Sequence, residues 1–436
     1  MKVKFHQAKR LAIFLVLYFL NHVEAYYRLG IQINNSIEKR THTIAIFPMP
    51  WPIPVFPQIE YPKPLFPRVW LPTLAAIASA AAAAVLLLWP HGKPTNTFQF
   101  WGALAGAPLV VCLAVFGWKL DRWEDEQTDA EEGEEEQYRL KGMWRDWTRR
   151  RLCVVDVAAF PAATAEIAEF AKEKIELPTN SKRTIAFDWV KGRAAAFRRT
   201  RLLHLIGRRF AETLRGRREV IVTLMLDDAS LKQAEAWTRR VVRVFSVVVP
   251  KVTFHVEVRS ATGGVHWIAR QVDRIDAATR LLIAVQLWAD EAKEKKHAFS
   301  EGAAAFLIEP GARKAGLIFR PMTCAKDTLE TGLAQIDQYQ MALDHIKQVW
   351  VAGGGQHEST AIRSGLAPDP RDVPAERLLD DPLGNPGPAS GWIGLAIAME
   401  AMRGAGPQLV AWREPGSEIL SLCTISPLPQ KKETTV

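Results

Sequence analysis

Leu383–Met402 reads LGNPGPASGWIGLAIAMEAM, a Gly/Pro-rich loop that runs directly into a helix opened by small residues. Upstream, Glu301–Pro310 reads EGAAAFLIEP, a short apolar run closed by a proline. Gly384, Gly387, Ser390 and Gly391 permit close backbone approach, and a helix N-terminus favours anions. A phosphate-cradling loop with Asn385 at its mouth is one reading, but the spacing fits neither GxGxxG nor a Walker pattern. The competing reading is a loop that packs its helix tightly onto a sheet.

Around these two stretches, apolar runs alternate with helical periodicity from about Tyr138 onward. Strands are expected at 152–157, 220–226, 247–258, 281–287, 303–308, 316–320, 349–352, 409–412 and 419–425. Helices are expected at 163–174, 192–214, 229–244, 328–345 and 391–402. Such alternation implies an α/β fold whose sheets are covered by helices. The last two strands flank a short Pro-Gly turn and should close as an antiparallel hairpin.

Glu301–Glu309 resembles the EGAAAxxLE strand of condensing enzymes, the thiolase and ketoacyl-synthase superfamily. The GNPGPAS loop, its Ala-rich helix and the terminal hairpin resemble the end of that superfamily's fold. The likeness covers about 247–427 and implies a layered αβαβα body. Catalysis does not carry over with it. The superfamily needs a nucleophilic cysteine on a buried helix before this region and two later polar groups for thioester chemistry. No cysteine lies between Val154 and Arg320. Cys324 follows a strand too late, and Cys423 falls within a terminal strand. Asn385 stands where the resemblance places a catalytic polar group, and His357 lies in GGGQHEST without an HGTGT context. The expectation is a degenerate fold, not an enzyme, with no cofactor.

Other constellations are weak. Ser359 near His357, with Asp369 or Asp372, suggests a hydrolase triad, but no GxSxG elbow supports it. His255 and His266 read as a strand face and a loop, and Asp227-Asp228 as a solvated turn. Four scattered cysteines (Cys112, Cys153, Cys324, Cys423) exclude a disulfide scaffold and a cysteine-ligated metal site. Lys191–Arg218 is strongly basic. Arg198, Arg201, Arg208 and Arg215 can share one side of a helix whose opposite stripe is Leu202, Leu205, Ile206 and Phe210. That side is a solvated face, a contact for anionic lipid, or a nucleic-acid surface; no DNA-recognition motif accompanies it.

The chain has 436 residues, 48% apolar and 24% charged, which excludes wholesale disorder; its net charge is +9. Residues 71–89 and 101–118 carry no charge and are bounded by Trp70, Trp89, Trp101 and Trp118. Their lengths match the hydrocarbon core, and the indoles match its aromatic belts. Arg68, Lys119 and Arg122 flank the pair, so the positive-inside rule places both flanks in the cytoplasm. Residues 11–20 read as either a signal-peptide core or an anchor. The expected divisions are 1–47, a hydrophobic segment and loop; 48–69, a proline-rich spacer; 70–120, a transmembrane hairpin; 121–137, a solvated acidic linker; 138–427, the α/β body; and 428–436, a tail.

This organisation, with Trp144-Arg145-Asp146-Trp147 before 152–157 and the Pro382–Met402 stretch, resembles a bacterial family of adaptors for type VI secretion lipase effectors. The resemblance implies a non-enzymatic, inner-membrane adaptor whose cytoplasmic body binds a secreted effector or its spike carrier. Anionic lipid and a second copy of the chain are further expected partners; nucleic acid is not. Two alternatives stand beside it, an acyl-CoA- or acyl-carrier-dependent condensing enzyme and a basic membrane-surface protein.

Overall fold

The computed structural model describes residues 50–427 apart from 91–92, 164, 173–176, 191–192, 275–277, 289–296, 312–315, 368–370, 372 and 402–405. The expectations for 1–47 and the 428–436 tail, as well as Asp369 and Asp372, therefore lie outside the described residues.

Helix α1 (Pro67–Leu88) and the first part of helix α2 (Phe98–Thr148) form an antiparallel hairpin. Trp70 meets Phe116 at one end, and Trp89 meets Phe100 at the other. No residue of α1 is buried, and Leu71, Leu87, Leu88, Leu109 and Leu113 are exposed. Both helices are long and apolar enough to cross a membrane and are candidate spans.

The acidic block 121–136 was expected to be a solvated linker; it is instead an uninterrupted continuation of α2. Glu, Gln and Ala are strong helix formers, and contacts one turn apart offset the like-charge repulsion. Arg122 pairs with Glu126 at 3.1 Å, and Gln127 donates to Glu131 at 2.9 Å. The helix therefore reaches about 76 Å at 1.5 Å per residue. The proline-rich segment runs back along it. Its carbonyls need donors that no helix or strand supplies, and α2 provides them. Gln137 donates to Pro57 O at 2.7 Å, Trp123 Nε1 donates to Lys63 O at 3.0 Å, and Tyr61 bonds to Glu134.

At its C-terminal end α2 is bolted to the body by buried polar contacts. Thr148 Oγ1 donates to Tyr339 O at 2.9 Å, and Gln340 Nε2 donates to Thr148 O at 2.8 Å. Arg320, 2% exposed, lies over the Trp147 ring at 4.0 Å and pairs with Asp273.

Among the described residues, eleven strands build the body: β1 (Arg151–Pro161), β2 (Glu219–Leu226), β3 (Thr253–Ser260), β4 (Arg280–Gln286), β5 (Gly302–Ile308), β6 (Gly316–Phe319), β7 (Met322–Cys324), β8 (Gln348–Ala352), β9 (Ala375–Leu378), β10 (Gln408–Arg413) and β11 (Leu420–Pro427). Their spatial order is β3-β2-β4-β5-β1-β6-β11-β10-β8-β9, with β7 on β11. The first five follow the order 3-2-4-5-1, with β5 antiparallel to both neighbours. The set β6, β8, β9, β10, β11 repeats that order, with β11 antiparallel to both neighbours. Two halves of one topology thus meet where β1 pairs with β6.

Side-chain alternation along the strands defines the layers. On β4, Leu281 and Ile283 face a core shared with helices α3 (Ala195–Leu214) and α4 (Ala234–Val248). Leu282 and Ala284 face the opposite way, onto α5 (Gly264–Val272) and α8 (Ser390–Ala401). On β8, Trp350 and Ala352 face this same central core, while Val349 and Val351 face α6 (Leu329–Gln335) and α7 (Gln356–Leu366). The architecture is a five-layered α/β fold of the thiolase-like αβαβα kind. Being covered on both faces explains why β4 and β5 are buried at every residue.

The expected helix over 163–174 is a 3-10 turn at Ile167–Ala171, and His266 lies on α5, not in a loop. The expected terminal hairpin is present as β10–β11.

Candidate functional site

α5 and α8 form the middle layer, and the Gly/Pro-rich loop leads directly into α8. The two helices approach closely. A Cβ at Gly264 would sit 3.1 Å from the Trp392 ring, and Trp267 meets Trp392 edge to face at 5.6 Å.

The loop before α8 is fixed by its own packing. Gly384 has φ +73°, and a Cβ there would lie 2.4 Å from Arg183 O. Asn385 donates its N–H to Arg183 O at 2.7 Å and accepts from Ser300 N at 2.9 Å. Gly387 N donates to Ser390 Oγ at 2.7 Å, and Ala389 N donates to Gln286 Oε1 at 3.0 Å. Gly384, Asn385, Gly387 and Ser390 are thus brought together, with these loop amides turned onto protein acceptors. Gly391 lets α8 close on Trp412, since a Cβ there would fall 2.5 Å from the indole. Between loop and sheet lies a void of about 20 Å³, roughly one water, lined by Asn385, Ser390, Glu301 and Asp380.

Asp380 is the group that sequence reading missed. Its carboxylate accepts from Gly353 N at 2.9 and 3.0 Å. Burial, reinforced by Asp381, pushes its pKa from 3.8 up to about 6 despite that bond. It precedes the Gly-rich loop directly in sequence, and that adjacency was the available signal.

The buried helix ahead of the EGAAA strand is α5, where the resemblance expects a nucleophilic cysteine. Its start reads Ala261-Thr262-Gly263-Gly264. Thr262 is exposed, and its hydroxyl contacts Ser260 Oγ at 2.8 Å. Gly263 N donates to Glu414 Oε1 at 2.6 Å, so a carboxylate from the β10–β11 turn already caps this helix. Next to it, Arg413 pairs with Glu358. Burial raises the Glu358 pKa, but the bonds from Arg413 and from Gly355 N outweigh it and hold the carboxyl below its usual value.

Burial pushes Cys324 up to about 12 and raises Cys423 as well. Cys112 lies within the α2 span and donates to Leu74 O. Cys153 is half-buried at the start of β1. His357 is exposed while Ser359 is fully buried on α7, so the residues of the suggested triad that are described are not brought together. Among the described residues, no group of three metal-ligating side chains exists.

The basic face needs correction. Arg198 does not lie on it: the residue is 3% exposed, pairs with Glu301, and donates to Trp288 O at 3.1 Å. Arg201, Arg208 and Arg215 are exposed, and Arg215 pairs with Glu212 at 2.6 Å.

No family model and no curated protein matches the chain. Solved structures do. The tetronic acid condensing enzyme AbyA1 aligns at 13% identity and TM-score 0.41, over 63% of this chain and 99% of its own. Peroxisomal 3-ketoacyl-CoA thiolase of Saccharomyces cerevisiae aligns at 11% and 0.43, over 64% and 98%. 3-Oxoacyl-(acyl carrier protein) synthase III from Pseudomonas aeruginosa aligns at 16% and 0.41, over 64% and 99%. The expectation of a non-enzymatic adaptor that loads a secreted effector is corrected accordingly: the solved structures named above are condensing enzymes, and neither a family model nor a curated protein supports an adaptor.

Proposed function

We propose that this chain is a membrane-anchored protein of condensing-enzyme type whose site works without a cysteine-bound acyl intermediate. The observation that carries this is the start of α5: no cysteine lies there, and the Thr262 hydroxyl contacts only Ser260 Oγ among the described polar side chains. A nucleophile needs a base within hydrogen-bond reach, and no histidine or carboxylate bonds to this hydroxyl among the described contacts. The void beside the loop that precedes α8 has room for about one water.

The test is incubation of the full chain in detergent with acetyl-CoA and octanoyl-CoA, alone and with acyl carrier protein, followed by intact and peptide mass spectrometry. The expected result is no covalent acyl adduct. An adduct on any cysteine, or on Thr262, overturns the proposal.

A second reading, a condensing-type enzyme acting on acyl-CoA or acyl-carrier thioesters, is favoured by one observation. Asp380, whose pKa burial raises to about 6, lines the same void as Asn385, as an acid–base group would. Release of free CoA that is lost in Asp380→Asn would establish it.

For location, the basic flanks Arg68, Lys119 and Arg122 support an inner-membrane hairpin with the body on the cytoplasmic side. Protease treatment of intact spheroplasts should leave the body uncut; digestion before lysis refutes this.

A further inference from the structure

The proline-rich strap from Trp51 to Phe66 forms no helix or strand, yet its burial is periodic. Ile53, Phe56, Ile59, Pro62 and Leu65 are half-buried, and every residue between them is exposed. A repeat of three is that of polyproline II, which turns one edge in three to the same side. The charged half of α2 has a matching stripe. Trp123, Gln127, Ala130, Gly133, Gln137 and Leu140 are covered at helical spacing, and every residue between them is exposed. The two stripes meet. Ile59 Cδ1 lies 3.3 Å from the position of a Cβ on Gly133, and Lys141 lies over the Phe56 ring at 5.4 Å.

The lengths agree as well. Trp51 meets Trp147 at one end of the pair, and Lys63 meets Trp123 at the other. Those ends are 12 residues apart on the strap, about 37 Å at the polyproline II rise of about 3.1 Å. They are 24 residues apart on α2, about 36 Å at the helical rise of about 1.5 Å. At the body the strap is latched. Trp51 is 6% exposed, its Nε1 donates to Pro321 O at 3.1 Å, and its carbonyl accepts from Gln335 Nε2 at 3.0 Å.

Residues 121–136 of α2 carry ten acidic side chains against one arginine. Like charges one turn apart work against a helix, and a helix without tertiary packing is marginal in water. We infer that the strap is a brace that keeps this stretch of α2 helical, with Trp51 as its latch. Seated, it joins the hairpin to the body through a stiff two-rod stalk. Released, it leaves the body on a flexible acidic tether. The inference concerns how the body is carried and is independent of any reaction within it.

The rival explanation is that α2 is helical by its own propensity and that Trp51 only fills the body. Hydrogen exchange of the full chain in detergent separates the two, with the amides of β4 and β5 as the internal control. Phe56→Ser with Ile59→Ser alters the strap away from the Trp51 joint. Exchange over 124–136 should rise about tenfold or more while β4 and β5 stay protected. Trp51→Ala should loosen the same stretch by a similar factor. If that variant does not fold, Gln335→Met, which removes the donor to the Trp51 carbonyl, serves with a rise of the same sense. Unchanged exchange over 124–136 in the strap variant, or an equal rise in β4 and β5, overturns the brace. A stalk that stays protected when the Trp51 joint is altered overturns the latch.

Discussion

Removing Arg198 should do more harm than any other single change on α3. Its guanidinium is 3% exposed, and the partner Glu301 side chain is fully buried. Replacing arginine with methionine keeps the stem and packing volume but leaves a carboxylate without a cation in a low-dielectric site. Breaking a buried pair from one side costs about 3–5 kcal/mol. In a body of this size that corresponds to a fall in melting temperature of roughly 6–12 °C. Glu301 has other partners, which makes a sharper test available. It accepts from Phe187 N at 3.0 Å and from Trp288 N at 2.9 Å. The two donors reach different carboxylate oxygens, so a glutamine oxygen can serve one of them without the charge, while its NH2 faces the other. The double variant Arg198→Met with Glu301→Gln should therefore recover part of the loss. The assay is thermal unfolding followed by circular dichroism in detergent. A single variant that loses less than about 1 kcal/mol, or a double variant no more stable than the single, refutes the reasoning.

Asp380 predicts a pH effect. Its folded pKa lies above its unfolded value, so its contribution to stability is full at low pH and lost as pH rises through about 6. The rise from 3.8 to about 6 corresponds to about 3 kcal/mol, and Asp380→Asn should flatten the stability profile between pH 4 and 7. Gly384→Ala should lower the melting temperature by several degrees, since φ is +73° and the new Cβ meets Arg183 O at 2.4 Å. Cys324 and Cys423 should resist maleimide at pH 8 in the folded body and react on unfolding; labelling in the native state contradicts their burial. Hydrogen exchange should find 121–136 protected as helix, whereas exchange at coil rates would contradict the continuous α2.

Much of the layered body was readable because its strands are covered on both faces, which writes them as short apolar runs such as GAAAFLI. The terminal hairpin was marked by its turn chemistry. Short elements were harder. α5, β7 and β9 lack periodicity over enough residues to stand out, and β9 is only partly buried. The acidic block misleads because its charge density suggests a solvated coil, while the helix is seeded by the apolar span and fastened to the body by Trp147 and Thr148. Arg198 misled because helical spacing cannot tell which of several arginines turns inward to meet a glutamate more than a hundred residues away. Asp380 carried no motif; only the fold shows that it caps the turn at Gly353.

One property of α2 reaches beyond the body itself. The same unbroken coil runs from candidate span to a buried docking joint, so the azimuth of the body about the bilayer normal is fixed by residue count. Adding one residue near Gly133 would lift the body by about 1.5 Å and swing it by about 100°. Adding seven would lift it by about 10 Å yet return nearly the same side to its neighbours. Phase, more than reach, is what this length of helix holds constant.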